Sequence, residues 1–210
     1  MKSNQIINSE NKVRRHSNFT ILLHWLLVFT VLNGLITLIN TKSNIILTVH
    51  IIGGGIMGLV LVAHFIYYYS IRRGSPIFPR KGDIKATIVL LKATFSGSKE
   101  PPNDKYLPEQ RLAYLYILIC VILVVVTGVG RAVGGEHRHT ALQNLSLTQI
   151  IGIFHGPAVF LLIVGIAFHL SAFLIKNNRP LLTSMFKGTV DIEYVKKRHE
   201  IWYAHMKNKV

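Results

Sequence analysis

Hydrophobic positions gather into four long runs, Phe19–Ile39, Ile45–Tyr69, Leu112–Gly130 and Gln149–Ile175, separated by polar connections. Each holds about 20 residues or a little more, the length an α-helix needs to cross ~30 Å of hydrocarbon. None carries Asp, Glu, Lys or Arg in its interior. A backbone in lipid must satisfy its own hydrogen bonds, so helices are expected. The pattern predicts an all-α integral membrane protein. It consists of a four-transmembrane-helix bundle over 19–175, a polar N-terminal segment, 1–18, and a basic C-terminal tail, 176–210.

The connections have their own patterns. Asn40–Asn44 is short, and Gly74–Gly82 is rich in turn formers. Asp83–Phe95 reads as a short helix with Ile84, Ile88, Leu91 and Phe95 on one side. It is too short to span and is expected to lie along the membrane interface. Pro101, Pro102 and Pro108 interrupt the chain before the third run, and Tyr194–Met206 reads as a basic amphipathic helix. Residues 1–18 are polar and basic, and the first run is long enough to span, so no cleaved leader is expected.

A net charge of +15 suggests nucleic acid until its distribution is followed. Of the 24 Lys and Arg, 21 fall in the N-terminal segment, the middle connection and the tail, and three fall in the other two connections. The positive-inside rule then puts both termini and the middle connection in the cytoplasm, in a bacterial or archaeal inner membrane. The excess is a topology signal with attraction to anionic lipid heads, so no nucleic-acid partner is expected. Cys120 is the single cysteine, which excludes an intrachain disulfide and an iron–sulfur or structural zinc site within this chain. No phosphate-binding loop, dinucleotide fingerprint or catalytic triad is present, so catalytic chemistry on soluble substrates is expected in another subunit.

Five histidines lie inside the runs. His155 and His169 are fourteen residues apart, as are His50 and His64. Fourteen residues span about 21 Å and almost four turns, so each pair leaves one helix face at two depths. With the topology above, His50 and His155 form an outer layer, and His24, His64 and His169 an inner one. Ionisable residues inside a membrane are costly and mark function. Two layers of imidazoles are how a helix bundle would hold two b-type haems. A proton relay or metal transporter without haem is the rival, and it calls for intramembrane carboxylates, which the runs lack. Gly53-Gly54-Gly55 and Gly58 after His50, Gly152 and Gly156 flanking His155, and Gly128 and Gly130 ending the third run allow a close approach, by a helix or a flat porphyrin.

The chain resembles the cytochrome b (gamma) subunit of membrane-bound formate dehydrogenases, and more broadly the cytochrome b subunits of nickel–iron hydrogenases and related quinone-linked reductases. The likeness rests on His24-Trp25, His50, Lys105-Tyr106 with Gln110, and Thr127-Gly128. It continues through His155, His169, Met185-Phe186-Lys187-Gly188-Thr189-Val190 and Lys196-Lys197-Arg198-His199 before Trp202-Tyr203. It implies a four-helix anchor. Electrons would come from an extracytoplasmic iron–sulfur or other redox subunit with its catalytic subunit, and pass through two haems b to a quinone near the cytoplasmic face. The resemblance assigns the outer haem to His50 and His155 and the inner haem to His24 and His169. It also allows the reverse direction, quinol oxidation feeding a terminal reductase or multihaem cytochrome.

Three positions depart from the family pattern. His64 is extra and is the alternative inner ligand, with His24 favoured because His-Trp is the family's mark. Leu107 stands where the family has an Asn near the quinone, and Ile21 stands for a common Arg, for which Arg14 or Arg15 is the candidate substitute. Gln110 is a candidate quinone contact. His137 and His139 are expected as exposed loop residues, Arg131 as an interfacial anchor, His199 and His205 as tail-surface residues, and Trp25 and Trp202 in an aromatic belt.

Overall fold

A computed structural model describes residues 11–38, 43–68, 77–134 and 145–208. Four stretches are helical, long and apolar enough to cross a membrane. They are α1 (Asn18–Thr37), α2 (Asn44–Ile66), the helix Pro108–Gly134, and the stretch Leu147–Leu174. With α3 (Asp83–Ser96) before it, Pro108–Gly134 is α4. It extends the apolar run by about a turn at each end, because Glu109, Gln110 and Arg111 are good helix formers.

The last stretch is not one helix. It divides into α5 (Leu147–Ile153) and α6 (His155–Ser171), with Phe154 between them. Pro157 is the cause: it has no N–H, and its ring crowds the carbonyl four residues back, at Ile153. The chain tightens there, Phe154 N–H donating to Ile151 O at 3.1 Å, and resumes with Ala158 N–H to Phe154 O at 2.9 Å. A capping box between Ser146 and Gln149 starts α5.

The chain folds as two compact units. The first comprises 22–74 and 116–167 and carries the body of the four-helix bundle. Its core is Met57, Cys120, Val121 and Leu162, with Leu27 and Val31 of α1 packed against it. Large apolar residues such as Phe29, Leu59, Val129 and Phe160 are exposed all round it, as a lipid-facing bundle requires. Glycines set its closest crossings. A Cβ at Gly152 would lie 2.9 Å from the Cα of Arg131, and one at Gly134 would lie 2.8 Å from the backbone nitrogen of Gln149. Backbone cannot rotate away, so Gly152→Val is expected to pry α5 from α4 at a cost of about 1–3 kcal/mol. Thermal unfolding in detergent micelles, followed by circular dichroism, will show a lowered midpoint, whereas Gly55→Ala, at a site with nothing within 4 Å, will not lower it.

The second unit takes the described parts of 1–21, 75–115 and 168–210. Here the chain departs from a purely helical pattern. Strand β1 (Lys12–Arg14) pairs antiparallel with β2 (Thr189–Asp191), with Val13 opposite Val190. Helix α7 (Arg179–Lys187) leads into β2 through Gly188, whose φ of +73° suits glycine alone. The expected tail helix is two helices, α8 (Ile192–Arg198) and α9 (Glu200–Lys207), broken at His199. The core of this unit is Val13, Leu181, Val190, Val195 and Trp202.

Two tail residues therefore need correction. His199 is 0 % exposed and Trp202 is 4 % exposed, neither on the surface nor in a belt. The tail folds back onto β1 and onto the segment before α4, which a helical-wheel reading of the tail alone does not include. His205 is exposed, as expected. On α3, Leu90 and Ala93 turn inward, while Ile84, Ile88 and Phe95 are exposed beside Lys85 and Lys92, as an interfacial helix requires. Asp83 pins α3 to α4 through a two-pronged ion pair with Arg111, at 2.7 and 2.5 Å.

Candidate functional site

Helices α2 and α6 bring His50 and His155 together inside the bundle, their ring centres 6.2 Å apart and their planes at 88°. Each ring has a threonine on a neighbouring helix. His50 Nδ1 lies 2.7 Å from Thr37 Oγ1 of α1, and His155 Nδ1 lies 3.1 Å from Thr127 Oγ1 of α4.

Proton bookkeeping fixes the direction of these bonds. A threonine hydroxyl has one proton and two lone pairs. Thr37 gives its proton to a helix carbonyl, Asn33 O at 2.7 Å or Gly34 O at 3.0 Å. Thr127 gives its proton to Leu123 O at 2.5 Å. Each hydroxyl is then an acceptor toward its histidine, so Nδ1–H donates. A neutral imidazole protonated at Nδ1 has its lone pair at Nε2. Both rings thus carry one metal-binding nitrogen each, with the other nitrogen hydrogen-bonded, the arrangement usual for metal-ligating histidines.

The glycines divide by task. A Cβ at Gly128 would sit 3.1 Å from His155 Cε1, so Gly128 makes room for that ring. Gly53 makes room for Asn33, whose Oδ1 would meet an added Cβ at 2.1 Å. Gly130 and Gly152 serve the α4–α5 crossing, with Ile151 and with the Arg131 backbone. Gly54 and Gly156 border open space, where an added Cβ meets nothing within 4 Å. Close approach is thus helix to helix at some glycines, while Gly54 and Gly156 are exposed with nothing packed on them. The donor set, two imidazoles facing each other from different helices, fits a metal-centred macrocycle.

The other three intramembrane histidines each pack against an aromatic neighbour on their own chain segment. His24, on α1, packs edge-on against Trp25 with centres 5.5 Å apart. His64, near the end of α2, lies against Tyr68 at 4.5 Å and 39°. There the helix widens into a π-turn over Tyr67 and Tyr68, both buried. His169, near the end of α6, meets Phe173 edge-on at 6.0 Å. His137 and His139 lie outside the described residues.

Outside the spans, Gln110 is built into the second unit. Its Oε1 accepts from Leu107 N–H at 3.2 Å, capping the start of α4, and from Arg15 Nη2 at 3.1 Å. Arg15 is 3 % exposed and has no carboxylate among its described partners. Its guanidinium lies over Tyr106 and Trp202, 5.2 and 5.8 Å from their centres, and Nη1 reaches His199 Nε2 at 3.5 Å. Burial pulls the Arg15 pKa below its ordinary value. Arg14 bonds Asn18. Leu107, in the place of a polar residue, is wholly buried.

Thr37 and the role of Thr127 escape a search for metal ligands, since threonine is rarely one. A signal existed in the hairpin geometry. Thr127 and His155 are nearly equally far from the middle of the turn between α4 and α5, whereas Thr37 closes α1 and His50 is the seventh residue of α2, so only the first of these pairs is marked in that way. Antiparallel helices bring such positions level.

A sequence model described as prokaryotic cytochrome b561 matches residues 15–188. Among curated proteins, none matches the chain. The matched span contains all five intramembrane histidines and both threonines. The facing imidazoles, their fixed tautomers and a four-helix membrane bundle agree with that match, and the chain belongs to the prokaryotic cytochrome b561 family, the membrane electron-transfer cytochromes of nickel–iron hydrogenase and formate dehydrogenase type that bind haem b.

Proposed function

We propose that this chain is a di-haem b cytochrome that anchors a respiratory redox complex and carries electrons across the membrane. The donor is an extracytoplasmic subunit of formate dehydrogenase or hydrogenase type, and the acceptor is quinone near the cytoplasmic face. The observation that carries the reading is the His50–His155 pair, each ring with Nε2 available and Nδ1 engaged by a threonine. The basic residues of the N-terminal segment, middle connection and tail support a cytoplasmic location for those parts, which makes His50 and His155 the outer pair.

When bound, haem supplies one-electron redox chemistry; this chain supplies ligands, spacing and a low-dielectric frame. His50 and His155 hold the outer group. For the inner group, His169 pairs with His24. His64 already packs against Tyr68, one turn along its own helix, with ring centres 4.5 Å apart and planes tilted by 39°, and turning toward a metal would break that contact. Gln110 serves the quinone as a donor: its oxygen is occupied, and its amide N–H groups suit a quinone carbonyl.

A dithionite-reduced minus oxidised spectrum of the purified chain, with haem quantified, tests this. Two low-spin b haems per chain are expected. His24→Ala is expected to leave one, and His64→Ala to leave both. A colourless protein would replace this reading with a haem-free anchor or transporter. Loss of a haem in His64→Ala with none lost in His24→Ala would exchange their roles.

A further inference from the structure

We propose that Thr37 and Thr127 are positioning residues of the outer haem site: each accepts the Nδ1–H of its histidine, fixes that ring as the Nε2-ligating tautomer, and strengthens Nε2 as a donor to iron. The proposal rests on the reading that His50 and His155 ligate that haem.

A threonine inside a membrane helix ordinarily needs no role. It bonds the carbonyl three or four residues back, and both threonines do so. That habit, however, consumes only the proton. Each oxygen keeps a lone pair, and in both cases that lone pair meets the Nδ1 of a histidine on another helix. The arrangement occurs twice, on α1 toward α2 and on α4 toward α6, and each time the threonine oxygen meets Nδ1. Packing alone does not require two independent helix pairs to choose the same atom.

The chemistry follows from the direction of the bond. Donating Nδ1–H to an acceptor leaves more electron density on the imidazole and favours the oxidised, more positively charged iron. Reversing the bond would place the proton on Nε2 and remove the ligand. The carbonyls of Asn33 and Leu123 oppose reversal, because it would take from each the hydroxyl proton it accepts. The shorter contact is at Thr37, 2.7 Å against 3.1 Å at Thr127, so the larger effect belongs to Thr37.

The test uses the full chain purified with its haem, in the Thr37→Val, Thr127→Val, Thr37→Ser, Thr127→Ser and His155→Ala variants. Valine keeps the shape and deletes the acceptor; serine keeps the acceptor. The readouts are haem per chain and a potentiometric titration of the outer haem. In the valine variants the reduced form should gain about three- to tenfold at a fixed ambient potential, a tenfold change being 59 mV for one electron. Serine should return the potential toward the parent value. If a valine variant loses the outer haem and serine keeps it, the proposal also stands, since residues that orient a metal's ligands are worth about 10–100-fold in metal affinity. An unchanged or lowered potential in the valine variants overturns it, and so does a serine variant that behaves like valine. His155→Ala separates the two levels. If it keeps both haems, the ligation reading itself fails; if it loses one while the valine variants match the parent, only the threonine proposal fails.

Discussion

Replacing His155 with alanine is expected to lower the haem content from the proposed two per chain to one and to leave the spectrum of the remaining haem in place. The effect is expected to be large because, among the described residues, no three His, Cys, Asp or Glu side chains converge as a metal cluster, so the proposed site has His50 and His155 and no third described ligand. Loss of a supporting residue weakens metal sites by about 10–100-fold, and loss of the ligand itself goes beyond that. His50→Ala is expected to give the same result, since the rings face each other across one space. The space left by the imidazole is flanked by Gly128, so free imidazole added to His155→Ala has room to enter and restore the outer band. Retention of both haems by both variants would refute the pairing of His50 with His155.

Acid is expected to loosen the second unit through His199. Its ring is buried among Arg15, Tyr194, Arg198 and Trp202, and its Nδ1–H donates to the Asp104 carbonyl at 2.6 Å. Burial first, and the Arg15 charge second, hold its pKa down to about 3. In the unfolded chain an ordinary histidine takes a proton near pH 6.5. Between those values the unfolded state binds the extra proton, so stability rises with pH across the window. The contribution is complete above about pH 6.5 and is lost progressively as pH falls toward 3. Its size approaches about 3 kcal/mol at the acid end, from 1.36 kcal/mol per pKa unit with allowance for local opening. Neighbouring carboxylates also titrate, but Asp83, Glu100 and Asp104 are held below the ordinary carboxylate range, so they act further into acid. Thermal midpoints at pH 7.5 and pH 5, compared between the parent and His199→Gln, separate the histidine from the carboxylates that both proteins share: the parent midpoint falls, and that of His199→Gln falls distinctly less. Equal falls in both would refute the role given to His199.

The four spans and the juxtaposition of His50 with His155 were readable because both follow from local rules. Apolar length predicts the spans, and charge bias plus a fourteen-residue spacing sorts histidines by depth. Phe154 shows where a local rule went unused, since Pro157 marks the break between α5 and α6. The Thr127–His155 bond required a further step, reading level positions across a hairpin, and the Thr37–His50 bond carried no such mark. His199 and Trp202 were beyond any local reading. Periodicity gives a helix its faces but does not say that a three-residue strand near the start of the chain covers one of them. Gln110 shows the same limit, since its oxygen answers to Arg15, far away in sequence.

That long reach bears on biosynthesis. Arg15 and His199 are 184 residues apart, and β1 has no partner until β2 exists. At about 5–20 residues per second, the first of these is made roughly ten seconds to half a minute before the second. Throughout that interval Val13 has no core to enter and Arg15 no ring to lie over. The membrane helices can insert one after another, but the second unit closes only when translation reaches its final turns. A ribosome that stops early therefore releases a chain whose spans are in place and whose clasp is open, a difference that quality-control proteases can read.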